Sequence, residues 1–219
     1  SHCNSKTILF IFNLFDLINI VSLFIILWSI NLFNFMDGLD GFATVEAIFI
    51  FLIGGLLFWW INAPQLALLA WVFIPILLGF LIWNWPQAKV FMGDAGSTFL
   101  GFIIAIFALI ALYRFHLSII YWMMLYSVFI TDASLTLIRR LIKKQPWYQP
   151  HRLHAFQRLF ESGFSRRQIL FSLMGVNSII ALLVIISFQF PFLLLPMLML
   201  NIFLVISIYL WIEKRKPMF

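Results

Sequence analysis

Charged residues are scarce in this chain: only 10% of its 219 residues are Asp, Glu, Lys or Arg, whereas 64% are hydrophobic. Soluble globular domains carry about 25% charged residues. This composition excludes a water-soluble protein of the ordinary kind. The long apolar runs instead predict an all-α, polytopic integral membrane protein, because each run is long enough to cross a bilayer as a helix.

Cysteine and acidic residues are also few. The single cysteine, Cys3, excludes an internal disulfide. None of the eight Asp and Glu is adjacent to another. Asp132, inside an apolar run, is expected to pair with Arg139 two turns later in a structural role. The formal net charge is +6, but a basic excess in a membrane protein first indicates topology, so it gives little support to nucleic-acid binding.

Seven transmembrane spans are expected in this chain. Their predicted limits are 17–35, 45–61, 65–84, 98–113, 118–138, 169–188 and 191–212. If the segment 139–168 is cytoplasmic, the loops 36–44 and 85–97 and the C-terminus lie on the same side. Of the 14 Lys and Arg, only Lys6 and Arg114 then lie on the other side, as expected when basic residues mark cytoplasmic loops. The sequence therefore predicts one transmembrane domain, 1–219, with three cytoplasmic loops.

Polar residues cluster where the first predicted span ends. Asn31 and Asn34 are three residues apart and so share a helix face, and Asp37 and Asp40 follow, each before a glycine. Because polar groups at a membrane edge are costly, they predict a functional site. The alternative is an ordinary turn between two helices, with Gly38 as the helix C-cap.

A second polar segment, FMGDAGST, precedes the fourth predicted span. Gly93 and Gly96 leave backbone N–H groups open to a phosphate at a helix N-terminus. Asp94 between them is suited to the Mg²⁺ that phosphates carry. The alternative is that Asp94 only caps the helix N-terminus.

A third segment, HRLHAFQR, begins at His151. If it is helical, His151, His154 and Arg158 share one face. No cysteine and no Glu-x-x-His pattern completes a zinc site here, whereas imidazole and the guanidinium of Arg152 suit phosphate oxygens. The alternative is a basic loop that binds anionic lipid.

Taken together, in this order and on one membrane face, the three segments resemble the polyprenyl-phosphate N-acetylhexosamine-1-phosphate transferases of glycosyltransferase family 4. The resemblance rests on the motifs NxxNxxDGLDG, FMGDxGS and HRxH, and it covers essentially all 219 residues. The third motif resembles the lipopolysaccharide O-antigen initiating enzymes, since the related phospho-MurNAc-pentapeptide transferases have adjacent histidines there. Family members also have an N-terminal part with paired aspartates, which this sequence lacks. We therefore expect the sequence to be truncated at its N-terminus, and the role of residues 1–16 stays open.

The resemblance implies a role for each motif residue. Nucleotide-sugar binding is implied for Asn31, Asn34, Asp37, Gly38, Leu39, Asp40 and Phe91. Metal binding, by Mg²⁺ or alternatively Mn²⁺, is implied for Asn34 and Asp94. Catalysis at the diphosphate is implied for Asp94, His151, Arg152 and His154. Phe91 would stack on the uracil ring.

The implied reaction is attack by an oxygen of polyprenyl phosphate on the sugar-linked phosphorus of a UDP-N-acetylhexosamine, giving a polyprenyl diphosphate sugar and UMP. Such a step would initiate a lipid-linked glycan such as O-antigen, on the cytoplasmic face of a bacterial inner membrane, within membrane lipid and without nucleic acid. Phosphoryl transfer requires mainly positioning and charge neutralisation, which Mg²⁺ and cationic side chains supply. The sugar, the polyprenol length and a homodimeric state stay open.

Two other functions are compatible with parts of the sequence. A secondary transporter also has broken helices with Asn, Asp and Gly near its substrate, but these lie at the membrane midplane. The motifs here follow odd-numbered predicted spans, so they enter one face in the same direction and do not form an inverted repeat. An inactive membrane fragment of the same ancestry is the second alternative.

Overall fold

The structure, a computed structural model, describes residues 5–146 and 152–219, without the side chains of 5–15. These residues form nine α-helices, and no strand occurs among them. The helices are α1 Ser5–Met36, α2 Phe42–Trp60, α3 Pro64–Asn84, α4 Gly93–Phe115, α5 Ile119–Leu125, α6 Ser127–Ile142, α7 Ala155–Glu161, α8 Arg166–Gln189 and α9 Leu194–Arg215. The predicted all-α class is confirmed.

Six helical segments are long and apolar enough to cross a membrane. They are Asp16–Met36 of α1, the whole of α2, α3, α4 and α8, and Pro191–Arg215, which includes α9. The chain is therefore a multi-span membrane protein. The fifth predicted span, 118–138, is not one straight helix, because α5 and α6 meet there at an angle of 76°.

Side chains from other helices stabilise this break. Asn201 on α9 is fully buried and donates its amide to the Met124 carbonyl at 3.2 Å. The Tyr126 hydroxyl, at the junction, lies 2.6 Å from the Ser29 hydroxyl of α1. In an apolar layer, the backbone groups that a helix break exposes must find partners of this kind.

Close packing holds α1 against α4. The Ser29 hydroxyl donates to the Gly101 carbonyl at 2.6 Å. A Cβ atom at Gly101 would lie 2.5 Å from the Ser29 carbonyl oxygen, so the helices approach as closely as they do only because this residue has no side chain. The central helix is α2, since 78% of the residues in its apolar, membrane-crossing stretch are buried, against 17% of those in the corresponding stretch of α3.

One end of the bundle collects all three motif segments, and we call it the motif end. There α1 and α3 finish, α2 and α4 begin, and α7 packs against the turn 37–41. Because α5 begins just after α4 finishes at the opposite end and α6 leads to α7, the α5–α6 pair passes from one end of the bundle to the other. This arrangement agrees with the predicted alternation of seven spans.

Candidate active site

The first two motifs meet through one amide. In the last turn of α1, Asn34 donates its Nδ2 to Asp94 Oδ1 at 3.0 Å and to Ser97 Oγ at 3.4 Å. Asp94 lies in the first turn of α4, whose N-cap is Met92 without a side-chain capping bond. The N-cap interpretation of Asp94 is therefore wrong, because its carboxylate faces Asn34 across the bundle.

A second carboxylate, that of Asp37, lies close enough to Asp94 to interact with its charge. Burial raises the pKa of Asp37 to about 7, the hydrogen bond from the Gly93 N–H opposes the rise, and the negative charge of Asp94 adds to it. A carboxylate whose ionisation is opposed by burial and by a neighbouring negative charge is stabilised in its ionised form by a bound cation.

Asp40 has a different environment from Asp37. Its Oδ2 accepts the Ala88 N–H at 3.2 Å and lies 3.6 Å from Arg166 Nε. Asp40 thus holds the segment 85–92, which carries Phe91. The Phe91 ring is 73% exposed, so it is available for stacking on a planar ligand.

Two other residues of the first motif lie apart from this carboxylate pair. Asn31 is exposed, and its amide donates to the Leu27 carbonyl of the same helix at 2.7 Å. Leu39 is buried in the apolar core. The shared helix face predicted for Asn31 and Asn34 does not bring both amides to Asp94.

Asn84, which sequence reasoning missed, connects two of the motif segments. It is 3% exposed, and its Oδ1 accepts from the Gly41 N–H and the Thr44 hydroxyl, both at 2.9 Å. Its Nδ2 donates to the Val90 carbonyl at 3.0 Å, directly before Phe91. The sequence did contain one signal for Asn84, which is a single polar residue at the end of an apolar run between two motifs.

The third motif reaches the first through close contacts. A Cβ atom at Gly38 would lie 3.1 Å from Gln157 Nε2 and 3.2 Å from Phe156 Cζ, so this turn packs tightly against the side chains of α7. The His154 ring stacks on the Phe35 ring at a centroid distance of 6.2 Å. His154 therefore lies beside the residue that follows Asn34.

The helix on which His154 and Arg158 were to share one face does not extend over 152–154. Arg152 and His154 precede α7, and His154 has an extended backbone. Arg158 is 1% exposed; it contacts Glu213 and donates to the Lys216 carbonyl at 3.0 Å. Arg152 is exposed, and His151 lies outside the described residues.

The predicted Asp132–Arg139 pair is also wrong. Asp132 accepts the Ala155 N–H at 2.7 Å, at the start of α7. Arg139 instead donates both terminal nitrogens to Glu213, at 2.6 and 2.7 Å. The spacing along α6 was misleading because Arg139 pairs with α9, whereas Asp132 accepts from the start of α7 and from Thr136 of its own helix.

A cation held by Asp94 and Asp37 would have to be one that accepts few protein ligands. In the described part of the chain, no three His, Cys, Asp or Glu side chains form a metal-binding group. Mg²⁺ typically binds one or two carboxylates and completes its shell with water and substrate phosphates, which fits Asp94 with Asp37 nearby. Asn34 presents an N–H to Asp94, so acting as a metal ligand would require its amide to rotate.

Comparison with known proteins now identifies the family. Residues 2–112 match the model of glycosyl transferase family 4. The chain belongs to glycosyl transferase family 4. This confirms the resemblance inferred from the motifs.

Curated members of glycosyl transferase family 4 resemble the chain over most of its length. The probable undecaprenyl-phosphate N-acetylglucosaminyl 1-phosphate transferase of Bacillus subtilis (strain 168) is 35% identical over 153 residues, covering 65% of this chain and 41% of the relative. The undecaprenyl-phosphate alpha-N-acetylglucosaminyl 1-phosphate transferase of Escherichia coli (strain K12) is 30% identical over 154 residues, covering 68% and 42%. The phospho-N-acetylmuramoyl-pentapeptide-transferase of Orientia tsutsugamushi (strain Ikeda) is 32% identical over 182 residues, covering 73% and 50%. The chain thus spans half or less of the length of these family 4 relatives.

Proposed function

We propose that this chain carries the nucleotide-sugar-binding part of an enzyme that transfers an N-acetylhexosamine 1-phosphate from a UDP-sugar to polyprenyl phosphate, with release of UMP. The observation that supports it is the convergence of three motif segments at the motif end. There Asn34 binds Asp94, and His154 packs on Phe35. A site for phosphoryl transfer needs carboxylates that hold a metal ion and cationic groups that bind the phosphate oxygens.

The donor diphosphate would lie between the second and third motifs. Asp94, with Asn34 beside it, would hold Mg²⁺, or alternatively Mn²⁺, which would neutralise charge on the phosphates. Arg152, His154 and His151 would bind phosphate oxygens from the other side. The uracil ring would stack on the exposed Phe91, next to the segment 37–40.

The acceptor would reach the site from the lipid. Since the motif end is one end of an apolar bundle, a polyprenyl phosphate can keep its tail in the bilayer while its head group meets the donor. Among the described Lys and Arg side chains, only Arg114 lies toward the opposite end. This distribution supports a cytoplasmic motif end in a bacterial inner membrane. O-antigen or another lipid-linked envelope glycan would be the product of the pathway.

The test is sugar-phosphate transfer by the complete product of the gene, in membranes of a host without its own enzymes of this family. Labelled UDP-GlcNAc, undecaprenyl phosphate and Mg²⁺ should yield a lipid-linked sugar and UMP. Asp94→Asn keeps the side-chain shape but removes the charge that offsets the metal, so transfer should fall by orders of magnitude.

Asp16→Asn makes the same change far from the motif end and should leave transfer intact, since Asp16 is exposed near the start of the first span. Near-normal transfer by Asp94→Asn would remove Asp94 from the metal site. No lipid-linked product from the wild-type protein with any UDP-N-acetylhexosamine would refute the proposed function.

A further inference from the structure

Asp132 lies at the junction between the broken span and the third motif. Its side chain is buried, with 6% of the residue exposed. Oδ1 accepts the Ala155 N–H at 2.7 Å, and Oδ2 lies 3.4 Å from the Phe156 N–H. These are the first two amides of α7, so a carboxylate from α6 supplements the capping box that His154 and Gln157 form at the start of this helix.

The same carboxylate faces His154. Asp132 Oδ1 lies 3.4 Å from His154 Nδ1, and both side chains are almost fully buried. The imidazole also lies between two aromatic rings, with Phe35 at 6.2 Å and Phe156 at 5.9 Å between centroids. The carboxylate beside Nδ1, together with the Gln157 N–H that the His154 side chain accepts, restricts rotation of the ring.

We propose that Asp132 is a positioning residue for sugar-phosphate transfer. It orients the His154 imidazole directly, and it fixes the backbone of the third motif by holding the first amides of α7. The proposal rests on the proposed function, in which His154 contacts the diphosphate. Asp132 itself would not contact the substrate.

A purely structural capping role makes different predictions from a positioning role. Asn is as good a helix cap as Asp, so Asp132→Asn keeps one oxygen to accept the Ala155 N–H, while it removes the negative charge facing the imidazole and the second oxygen near the Phe156 N–H. A cap alone therefore predicts normal transfer by Asp132→Asn. Positioning predicts a lower kcat together with a higher KM for the UDP-sugar, because the His154 imidazole that Asp132 orients is proposed to bind the donor diphosphate.

The first measurement is transfer kinetics of the complete gene product in membranes. We expect Asp132→Asn to lower kcat about tenfold to a hundredfold, the usual cost of removing a group that orients a functional histidine. Glu161→Gln is the matched control, since it also neutralises a carboxylate near α7 but on an exposed residue at the far end of that helix. Normal kcat in Asp132→Asn would overturn the proposal.

A double-mutant cycle with His154→Ala tests the coupling. If Asp132 acts through His154, Asp132→Asn should have little further effect on kcat once His154 is absent. Multiplicative losses of kcat in the double variant would show that Asp132 acts independently of the histidine and would overturn the proposal.

Hydrogen exchange of the amides in 152–161 gives a measurement that does not depend on activity. Asp132→Ala should accelerate exchange at Ala155 and Phe156, whereas Asp132→Asn should leave exchange at Ala155 unchanged. Unchanged exchange in Asp132→Ala would refute the contact with α7. If exchange changes as expected but the wild-type protein transfers no sugar phosphate, the proposed function fails while the structural contact stands, so the two failures are distinguishable.

Discussion

Asn84 shows how one buried amide can set the position of an exposed aromatic ring, that of Phe91. Its oxygen is occupied by Gly41 and Thr44 at the start of α2, and its nitrogen by Val90 next to Phe91. Asn84 therefore joins the turn of the first motif to the segment of the second. The geometry of Phe91 depends on this amide as well as on Asp40.

Replacing Asn84 by Asp should loosen the segment 85–92. The carboxylate keeps an acceptor for Gly41 but places an oxygen against the Val90 carbonyl, where an N–H stood. We expect the KM for the UDP-sugar to rise about tenfold, since a lost hydrogen bond costs roughly 1.4 kcal/mol or a factor of ten. Trypsin cleavage after the exposed Lys89 should also become faster.

The control for this variant is Gln87→Glu, which makes the same amide-to-carboxylate change at an exposed position of the same segment. It should leave both KM and cleavage near their wild-type values. Wild-type cleavage and KM in Asn84→Asp would show that the other contacts of the segment suffice to hold Phe91.

The raised pKa of Asp37 predicts how the stability of the protein depends on pH. Because its pKa is raised from 3.8 to about 7, the folded protein binds more protons than the unfolded chain between these values. The contribution of Asp37 to stability is therefore full below about pH 4 and is lost as pH rises toward 7. Without Mg²⁺, Asp37→Asn should raise the unfolding temperature more at pH 7.5 than at pH 5, measured by thermal unfolding in detergent.

Added Mg²⁺ should reduce this difference in the wild-type protein, because a cation stabilises the ionised carboxylate. Equal effects of Asp37→Asn at both pH values would contradict the raised pKa.

At the scale of the helices, the break between α5 and α6 positions the third motif. A straight helix through 119–142 would continue along the bundle, whereas the 76° bend directs α6 so that Asp132 meets α7. The end of α9 completes the arrangement, since Glu213 binds both Arg139 of α6 and Arg158 of α7. The consecutive helices α6 and α7, together with the end of the distant α9, thus hold the segment that contains His154.

Asn201→Leu should destabilise this break. Leu has a similar size, but it leaves the Met124 carbonyl without the amide donor it has inside the apolar layer. An unsatisfied buried acceptor costs about 1–3 kcal/mol, which thermal unfolding in detergent can measure. Ser207→Ala, on an exposed position of the same helix, is the control; equal unfolding temperatures for the two variants would show that Asn201 does not stabilise the break.

For the whole molecule, the proposed function requires one orientation of the bundle in the membrane, with all three motifs on the cytoplasmic side. The described basic side chains gather at the motif end, whereas Gln65 lies at the start of α3, at the opposite end. In a Cys3→Ser background, single cysteines at the exposed positions Lys89 and Lys144 should react with an impermeant thiol reagent only in inverted or permeabilised vesicles. A cysteine at Gln65 should react in intact cells.

Reaction of position 144 in intact cells would reverse this orientation. It would also separate the motif end from a cytoplasmic UDP-sugar, so the labelling experiment tests the proposed function independently of any enzymatic assay.

Much of the candidate site was predictable because its signals are local. The motif containing Asn34 and the one containing Asp94 each combine polar residues with glycine at the end of an apolar run, which membrane helices rarely tolerate without a function. The structure brings these two residues into contact as expected. Asn84 and Asp132 were harder to assign, because a single polar residue in an apolar run carries no sign of its distant partner.

Composition, hydrophobic length and contiguous motifs were enough to predict the membrane class, the approximate spans, the basic face and the family. The packing of the helices was needed to show that the fifth span is broken, that Asp132 contacts His154 and the start of α7, and that Arg139 and Arg158 share Glu213. The physical reason is that a buried polar group must be paired. Which partner it finds depends on how the helices pack, and the residues adjacent to it in sequence do not determine that packing.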